Sequence, residues 1–231
     1  MWAKARILDS AADQFRYYMN VNQHKLEASI VRRLCQEGAG TLAWLQSLGV
    51  EFREPDLYCS GVDGVRRGHR AHGHGAAITA ALEGALAATS VDTVLKTRVD
   101  SLLLEAGAVR GVRTPDGVVR AAAVVLATGG FGNDPELLAE LYPDAARQGD
   151  RLWYIGTPHA RGDGLRMARA IGADLAGRNR GLLLLTTGFM RELEPYLPGW
   201  LVFVNREGRR FIDERTEYSV LAAVLKEQSG G

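Results

Sequence analysis

The sequence is short of most features that mark a specialised environment. Its 231 residues hold two cysteines, Cys35 and Cys59, at a spacing that suits no metal site. Cys35 falls in a helical pattern and reads as a small core residue. Charge of one sign is also lacking: 28 Lys and Arg stand against 27 Asp and Glu, for a formal net charge of +1. The basic residues pair as Arg32–Arg33, Arg66–Arg67 and Arg209–Arg210 but form no longer run. That balance argues against nucleic acid or an anionic membrane as partner. Long hydrophobic runs are missing too. Stretches such as Ala121–Ala127 and Gly181–Leu185 fall far short of the ~20 residues that cross a bilayer. The N-terminus, with Lys4, Arg6 and Asp9 among its apolar residues, is too interrupted by charge for a secretory signal. A cytoplasmic protein is expected.

Several catalytic signatures are absent as well. No nucleophile elbow, Walker loop or Cys-His pair is found, and no internal repeat. His72 and His74 stand at i, i+2 without a suitably spaced third ligand, so no metal site is expected. The nearest string to the dinucleotide fingerprint Gly-x-Gly-x-x-Gly is Gly73-His74-Gly75, with Ile78 at the third glycine position and no strand before it. This disfavours an NAD-dependent Rossmann enzyme.

What is present is ordinary globular composition, 46% hydrophobic and 24% charged, with 27 glycines placed between periodic segments. Apolar spacing predicts helices over Ala3–Tyr18, His24–Gln36 and Gly38–Leu48, with Gly49 as C-cap, and a short strand at Val50–Phe52. Arg53–Arg70 reads as a polar connection. Ala76–Ala88 is an alanine-rich helix of low polarity, expected to be packed on both sides. Strands are predicted at Asp92–Thr97, Val99–Glu105, Val109–Arg113 and Val118–Arg120, with hairpin turns at Ala106-Gly107 and Pro115-Asp116-Gly117. The continuous apolar run Ala121–Leu126 reads as a strand buried on both faces of a parallel sheet. Next come a helix over Pro135–Leu141 capped by Asp134, a helix over Leu165–Ile171 and short strands at Leu182–Thr187, Leu201–Asn205 and Phe211–Ile212. A closing helix covers Tyr218–Glu227.

The chemistry is expected where a buried strand runs into small residues, Val124-Val125-Leu126-Ala127-Thr128-Gly129-Gly130-Phe131-Gly132. Such an end lets backbone approach a bulky ligand closely; it is also what an ordinary strand-to-loop turn looks like. Around it stand Thr97-Arg98-Val99 upstream and Gly162-Asp163-Gly164-Leu165-Arg166-Met167-Ala168 downstream. Further on is Val204-Asn205-Arg206-Glu207-Gly208-Arg209-Arg210-Phe211-Ile212-Asp213-Glu214. This ordered set, with Ala43-Trp44-Leu45 and Leu48-Gly49-Val50 before it, resembles the FAD-dependent oxidoreductases of the fumarate reductase/succinate dehydrogenase flavoprotein type. It looks most like their soluble branch, which includes tricarballylate dehydrogenases, 3-oxosteroid 1-dehydrogenases and urocanate reductases.

The resemblance implies an α/β fold: an incomplete Rossmann-like FAD-binding domain over 1–178, with a parallel sheet plus a β-hairpin, then the start of a capping domain over 179–231. It implies FAD as cofactor and a small-molecule substrate. Val99 would meet the adenine side, Ala127, Thr128, Gly129 and Gly130 would pass the dinucleotide, and Gly162 and Asp163 would approach the isoalloxazine edge. Gly73 and Gly75 would lie in a loop near the flavin. Asp163 is also a plausible helix cap, Arg98 a solvated surface arginine, and His159 a neighbour of flavin or substrate.

In the family's fumarate and urocanate reductases an arginine four residues after an Asn/Asp-Glu pair delivers a proton. Here the pair is Asp213-Glu214 and the fourth position is Tyr218; a cap-domain histidine of the fumarate reductases aligns near Leu184. Tyr218 is similar instead to the phenol that helps remove a substrate proton in 3-oxosteroid dehydrogenases. Such a phenol needs a lowered pKa or a positive neighbour, and Arg215 is close in sequence. The alternative is a tyrosine packed at a helix start. The family's Gly-x-Gly-x-x-Gly loop and its C-terminal block are both missing from these residues, so the expectation is a fragment, completed by a missing N-terminal segment or a partner. The two function classes are therefore a flavin-dependent dehydrogenase and a non-catalytic remnant that serves as a binding module.

Overall fold

In the computed structural model, residues 5–22, 24–59, 63–183, 201–214, 216 and 218–229 are described, with the backbone alone at 218 and 219. The chain divides into two compact units, one of residues 1–92 with 197–231 and one of residues 93–196.

The first unit opens on a helical pair. Helix α1 (Ala11–Val21) starts where extended Ser10 accepts the Asp13 N–H through its side chain at 3.1 Å, a side-chain cap for an otherwise unpaired donor. The predicted start at Ala3 is therefore too early; Leu8, 95% exposed, lies outside the helix. Helix α2 (Ala28–Ser47) runs unbroken through Gly38 and Gly40, where two helices were expected. A helical glycine costs only ~1 kcal/mol relative to alanine, and packing outweighs it: Val31 and Cys35 join Met19 of α1 in a buried cluster flanked by Phe15 and Tyr18. The helix does stop at Gly49, with φ +93°. There Gly49 N–H donates to Gln46 O at 3.0 Å and Val50 N–H to Leu45 O at 3.1 Å, the paired bonds of a Schellman end.

The expected polar connection after Arg53 is in fact a hairpin. Strand β1 (Phe52–Tyr58) pairs antiparallel with β2 (Gly68–Ala71), with a register shift between Phe52 and Leu57. Pro55 and three charged neighbours hide the strand pattern, and a bulged pair tolerates them. Between the strands, Arg67 forms a bidentate pair with Asp9 at 2.7 and 2.8 Å and donates to Asp63 at 2.7 Å. The side chains of Arg67, Asp9 and Asp63 are 11%, 2% and 5% exposed. Arg67 holds the Asp9 carboxyl below its ordinary range. Helix α3 (His74–Ala87) follows β2 directly and has no buried residue. It is not packed on both sides as its composition predicted; within this unit the hairpin strand β2 is its neighbour.

The second unit contains a meander of β3 (Ser101–Glu105), β4 (Ala108–Thr114) and β5 (Gly117–Arg120). Its first turn has positive φ at both Ala106 and Gly107, the geometry that matches the strand twist. These strands agree with expectation. The segments 92–97 and 121–126 do not: neither is a strand, Val125 is 89% exposed, and both described sheets are antiparallel. An apolar run implies a buried strand only where neighbouring strands exist to pair with it, and among the described residues no strand forms a ladder with either, beyond the single Ala121 N–H to Arg110 O bond at 3.0 Å. Helix α4 (Pro135–Leu141) begins as predicted, with Asp134 Oδ1 accepting the Leu137 N–H at 2.9 Å. After α5 (Pro143–Ala146) and a single 3-10 turn comes α6 (Asp163–Ala170).

Residues 201–229 belong to the first unit. The two predicted strands there reduce to a single bridge, Val204 to Arg210, around the expected turn at Gly208; the expected strand Leu182–Thr187 lies outside the described residues from 184 on, and Leu182 and Leu183 are in no strand. The last helix, α7 (Tyr218–Leu225), buries Leu221 completely. No described helix is long and apolar enough to cross a membrane.

Candidate dinucleotide site

Three of the blocks singled out in the sequence meet in the second unit. Residues 127–130 follow the 121–126 segment and are exposed. Against them lies the start of α6. Gly162 N–H donates to Gly130 O at 2.9 Å, and Gly164 N–H donates to Thr128 Oγ1 at 3.1 Å. Asn133 adds two more ties to the same loop: its backbone N–H reaches Ala160 O at 3.0 Å and its side chain Pro158 O at 2.8 Å. Arg98, next to half-buried Val99, brings its guanidinium to 3.6 Å from Asp163 Oδ1 and 3.4 Å from Asp100.

Glycine is required at 162. Its φ is +75° and a Cβ there would collide with Leu137 Cδ1, so both backbone and space exclude a side chain. Gly129 also has positive φ, +74°, yet nothing lies within 4 Å of a Cβ built on it or on Gly130. The junction is packed solid on the α6 side and open at Gly129 and Gly130. Gly162 is the N-cap, and Asp163 is the first helical residue, without a side-chain capping bond; its predicted capping role is replaced by its place beside Arg98.

Asp134 anchors the frame. It caps α4 and accepts from Arg166 of α6 at 2.8 Å. The Leu137 N–H and then Arg166 hold its carboxyl below the usual range. His159 is exposed in the preceding loop, its N–H donating to Thr157 Oγ1 at 3.3 Å.

Gly73 and Gly75 lie in the first unit at the start of α3, Gly73 with φ +84° and Gly75 with open space around it. Tyr218 is the first residue of α7; its side chain and Arg215 lie outside the described residues. The pair's Glu214 is well placed: its carboxylate, 7% exposed, accepts from Arg210 at 2.5 and 3.0 Å and from Phe203 N–H at 2.9 Å. Those donors, Arg210 first, pull its pKa down to about 2. No group of three or more His, Cys, Asp and Glu that could hold a metal occurs among the described residues. Sequence reasoning missed the Thr128 side chain, Asn133 and Arg166, because each acts on a partner 25 to 36 positions away that no local pattern identifies; it also missed Arg210, whose partner Glu214 is only four residues on.

Comparison with known proteins identifies the family. The FAD binding domain family model matches residues 1–231. A vinyl phenol reductase of Lactiplantibacillus plantarum is 28% identical over 240 residues, covering 91% of this chain and 45% of that protein. A probable fumarate reductase of Shewanella frigidimarina is 30% identical over 224 residues, covering 92% and 37%. The solved open conformation of a flavocytochrome c3 fumarate reductase superposes with a TM-score of 0.76 at 28% identity, over 99% of this chain and 42% of that one. The chain thus spans less than half the length of each of these three relatives. It belongs to the FAD-binding domain family of fumarate reductases and related FAD-dependent oxidoreductases, and the cofactor of that family is FAD.

Proposed function

We propose that the chain is part of a dehydrogenase that transfers a hydride between flavin N5 and a C–C bond beside a carbonyl or carboxylate, in an organic acid or a 3-oxosteroid. The observation that carries this is the junction of residues 127–130 with 162–164, tight on the helix side and open at Gly129 and Gly130. Its residues fit a bulky dinucleotide: exposed backbone with no Cβ at 129 and 130 allows close approach.

Val99, Ala127, Thr128, Gly129, Gly130, Gly162 and Asp163 would hold the FAD; Gly73 and Gly75 are added to that set by the family resemblance alone. When bound, the cofactor supplies a two-electron hydride acceptor and donor. The chain's own residues provide position and protons. Tyr218, with Arg215 nearby in sequence to favour the phenolate, exchanges the proton on the substrate carbon. Glu214 is unsuited to that task, since a carboxylate held at about pKa 2 is a weak base and its oxygens are already engaged by Arg210 and the Phe203 N–H; it ties those two residues together instead. Residues 1–178 form the cofactor domain and 179–231 begin the cap. The segments 92–97 and 121–126 become strands of a parallel sheet when a segment or partner outside these residues pairs with them.

A second reading, a remnant that does not retain FAD, is favoured by the exposure of Val94, Leu95 and Val125 at 73%, 77% and 89%, which leaves the sheet side of the site unsupported. Flavin absorbance of the purified protein, with and without added FAD, decides between them. A colourless protein that takes up no FAD overturns the enzyme reading for this chain. For the proton role, Tyr218→Phe in a chain that turns over a ring ketone should slow the reaction, by roughly 100-fold or more; an unchanged rate removes Tyr218 from the mechanism.

A further inference from the structure

We infer that Thr128 is a positioning residue of the dinucleotide site, its hydroxyl serving as the missing cap of helix α6. The inference rests on the proposed FAD site. Helix α6 begins at a glycine with no side chain to offer its first turn, so its leading N–H groups need partners from elsewhere. Thr128, 36 residues earlier in sequence, supplies one: its Oγ1 accepts the Gly164 N–H at 3.1 Å. The fit is tight in the other direction as well, because a Cβ on buried Gly164 would run into that same oxygen.

With the Gly162 to Gly130 bond at 2.9 Å, the hydroxyl makes a second tie between the helix start and the exposed 127–130 backbone. One bond alone leaves a hinge; two fix the direction of α6 against the loop. No acceptor for the hydroxyl proton is found among the described residues. That proton is free for an oxygen of a ligand docked against residues 127–130. Losing the hydroxyl therefore both unpins the helix start and removes a donor.

Amide hydrogen exchange at Gly164, with FAD titration by fluorescence, should be measured on the full chain as wild type, Thr128→Ser and Thr128→Val. Valine keeps the shape and drops the oxygen. We expect Thr128→Val to speed Gly164 exchange and weaken FAD binding, each by roughly five- to tenfold, with Thr128→Ser restoring both to near wild type. Equal Gly164 exchange in wild type and valine variant overturns the inference whether or not FAD binds. Faster exchange with unchanged FAD affinity overturns it too, since the tie would then be structural only. A wild type that takes up no FAD overturns the proposed function separately, and with it the role of Thr128 toward the cofactor; the exchange data then report the cap alone.

Discussion

The two glycine loops that the sequence marks as flavin neighbours are held in opposite ways. The loop at 160–164 is locked from within: backbone bonds tie it to residues 130 and 133, a threonine caps it, and neighbouring side chains fill the space a Cβ would need. The turn at 72–73 and the first residues of α3 are open except at Gly73, where a Cβ would meet Ala77 at 3.1 Å. Gly75 has nothing around it, and α3 buries no residue. It is anchored at its foot instead, where Arg67, just before β2, is clamped by Asp9 and Asp63. The same residue type thus serves packing in one place and access in the other, and neighbours rather than the glycine decide which.

The sharpest way to break this contrast is Arg67→Ala. Removing the shared partner strands two buried carboxylates, with an expected loss of ~3 kcal/mol or more in urea unfolding of the chain. A loss below 1 kcal/mol would mean that the open loop has no anchor there. Next comes the pair Gly162→Ala and Gly75→Ala. The first combines a disfavoured φ with overlap on Leu137 and should cost about 2–4 kcal/mol. The second sits in a helix with free space and should be neutral or stabilising by up to ~1 kcal/mol. Equal effects would erase the distinction between the loops.

Acid sharpens the contrast further. Asp9 is held below its ordinary 3.8 by the Arg67 hydrogen bond, so the folded state binds its proton less readily than the unfolded chain does. Its contribution is complete above the unfolded pKa and is lost as pH falls through the folded one. Stability plotted against pH should therefore fall less steeply below pH ~4 in Asp9→Asn than in wild type; parallel curves would remove Asp9 from the anchor. The smallest expected effect is on FAD affinity in Gly75→Ala, a loss of a few-fold from one added methyl at a close approach, checked by the same fluorescence titration.

Much of this was legible in the sequence where the cause is local. The Asp134-Pro135 start of α4, the Gly49 stop of α2 and the two hairpin turns of the meander each depend on neighbours within a few residues. The ordered Gly-rich blocks also pointed correctly to the family. What the sequence hid lies at long separation: Arg67 finds Asp9 across 58 positions, and Thr128 finds Gly164 across 36. The β1–β2 hairpin was obscured by Pro55 and its charged neighbours. The segments 92–97 and 121–126 erred the other way, since their apolar character specifies a buried strand but cannot supply the partner that buries it.

The contact between Thr128 and Gly164 has a consequence for how this sequence can change over time. An alanine at 164 is blocked while the threonine oxygen stands in its way; with alanine at 128 the nearest remaining atom is the Cβ at 3.4 Å, a bearable approach. The two substitutions can therefore be accumulated in one order and not the other. A lineage that first shortens residue 128 to alanine is free to fill the helix start, and one that keeps a branched side chain there must keep the glycine.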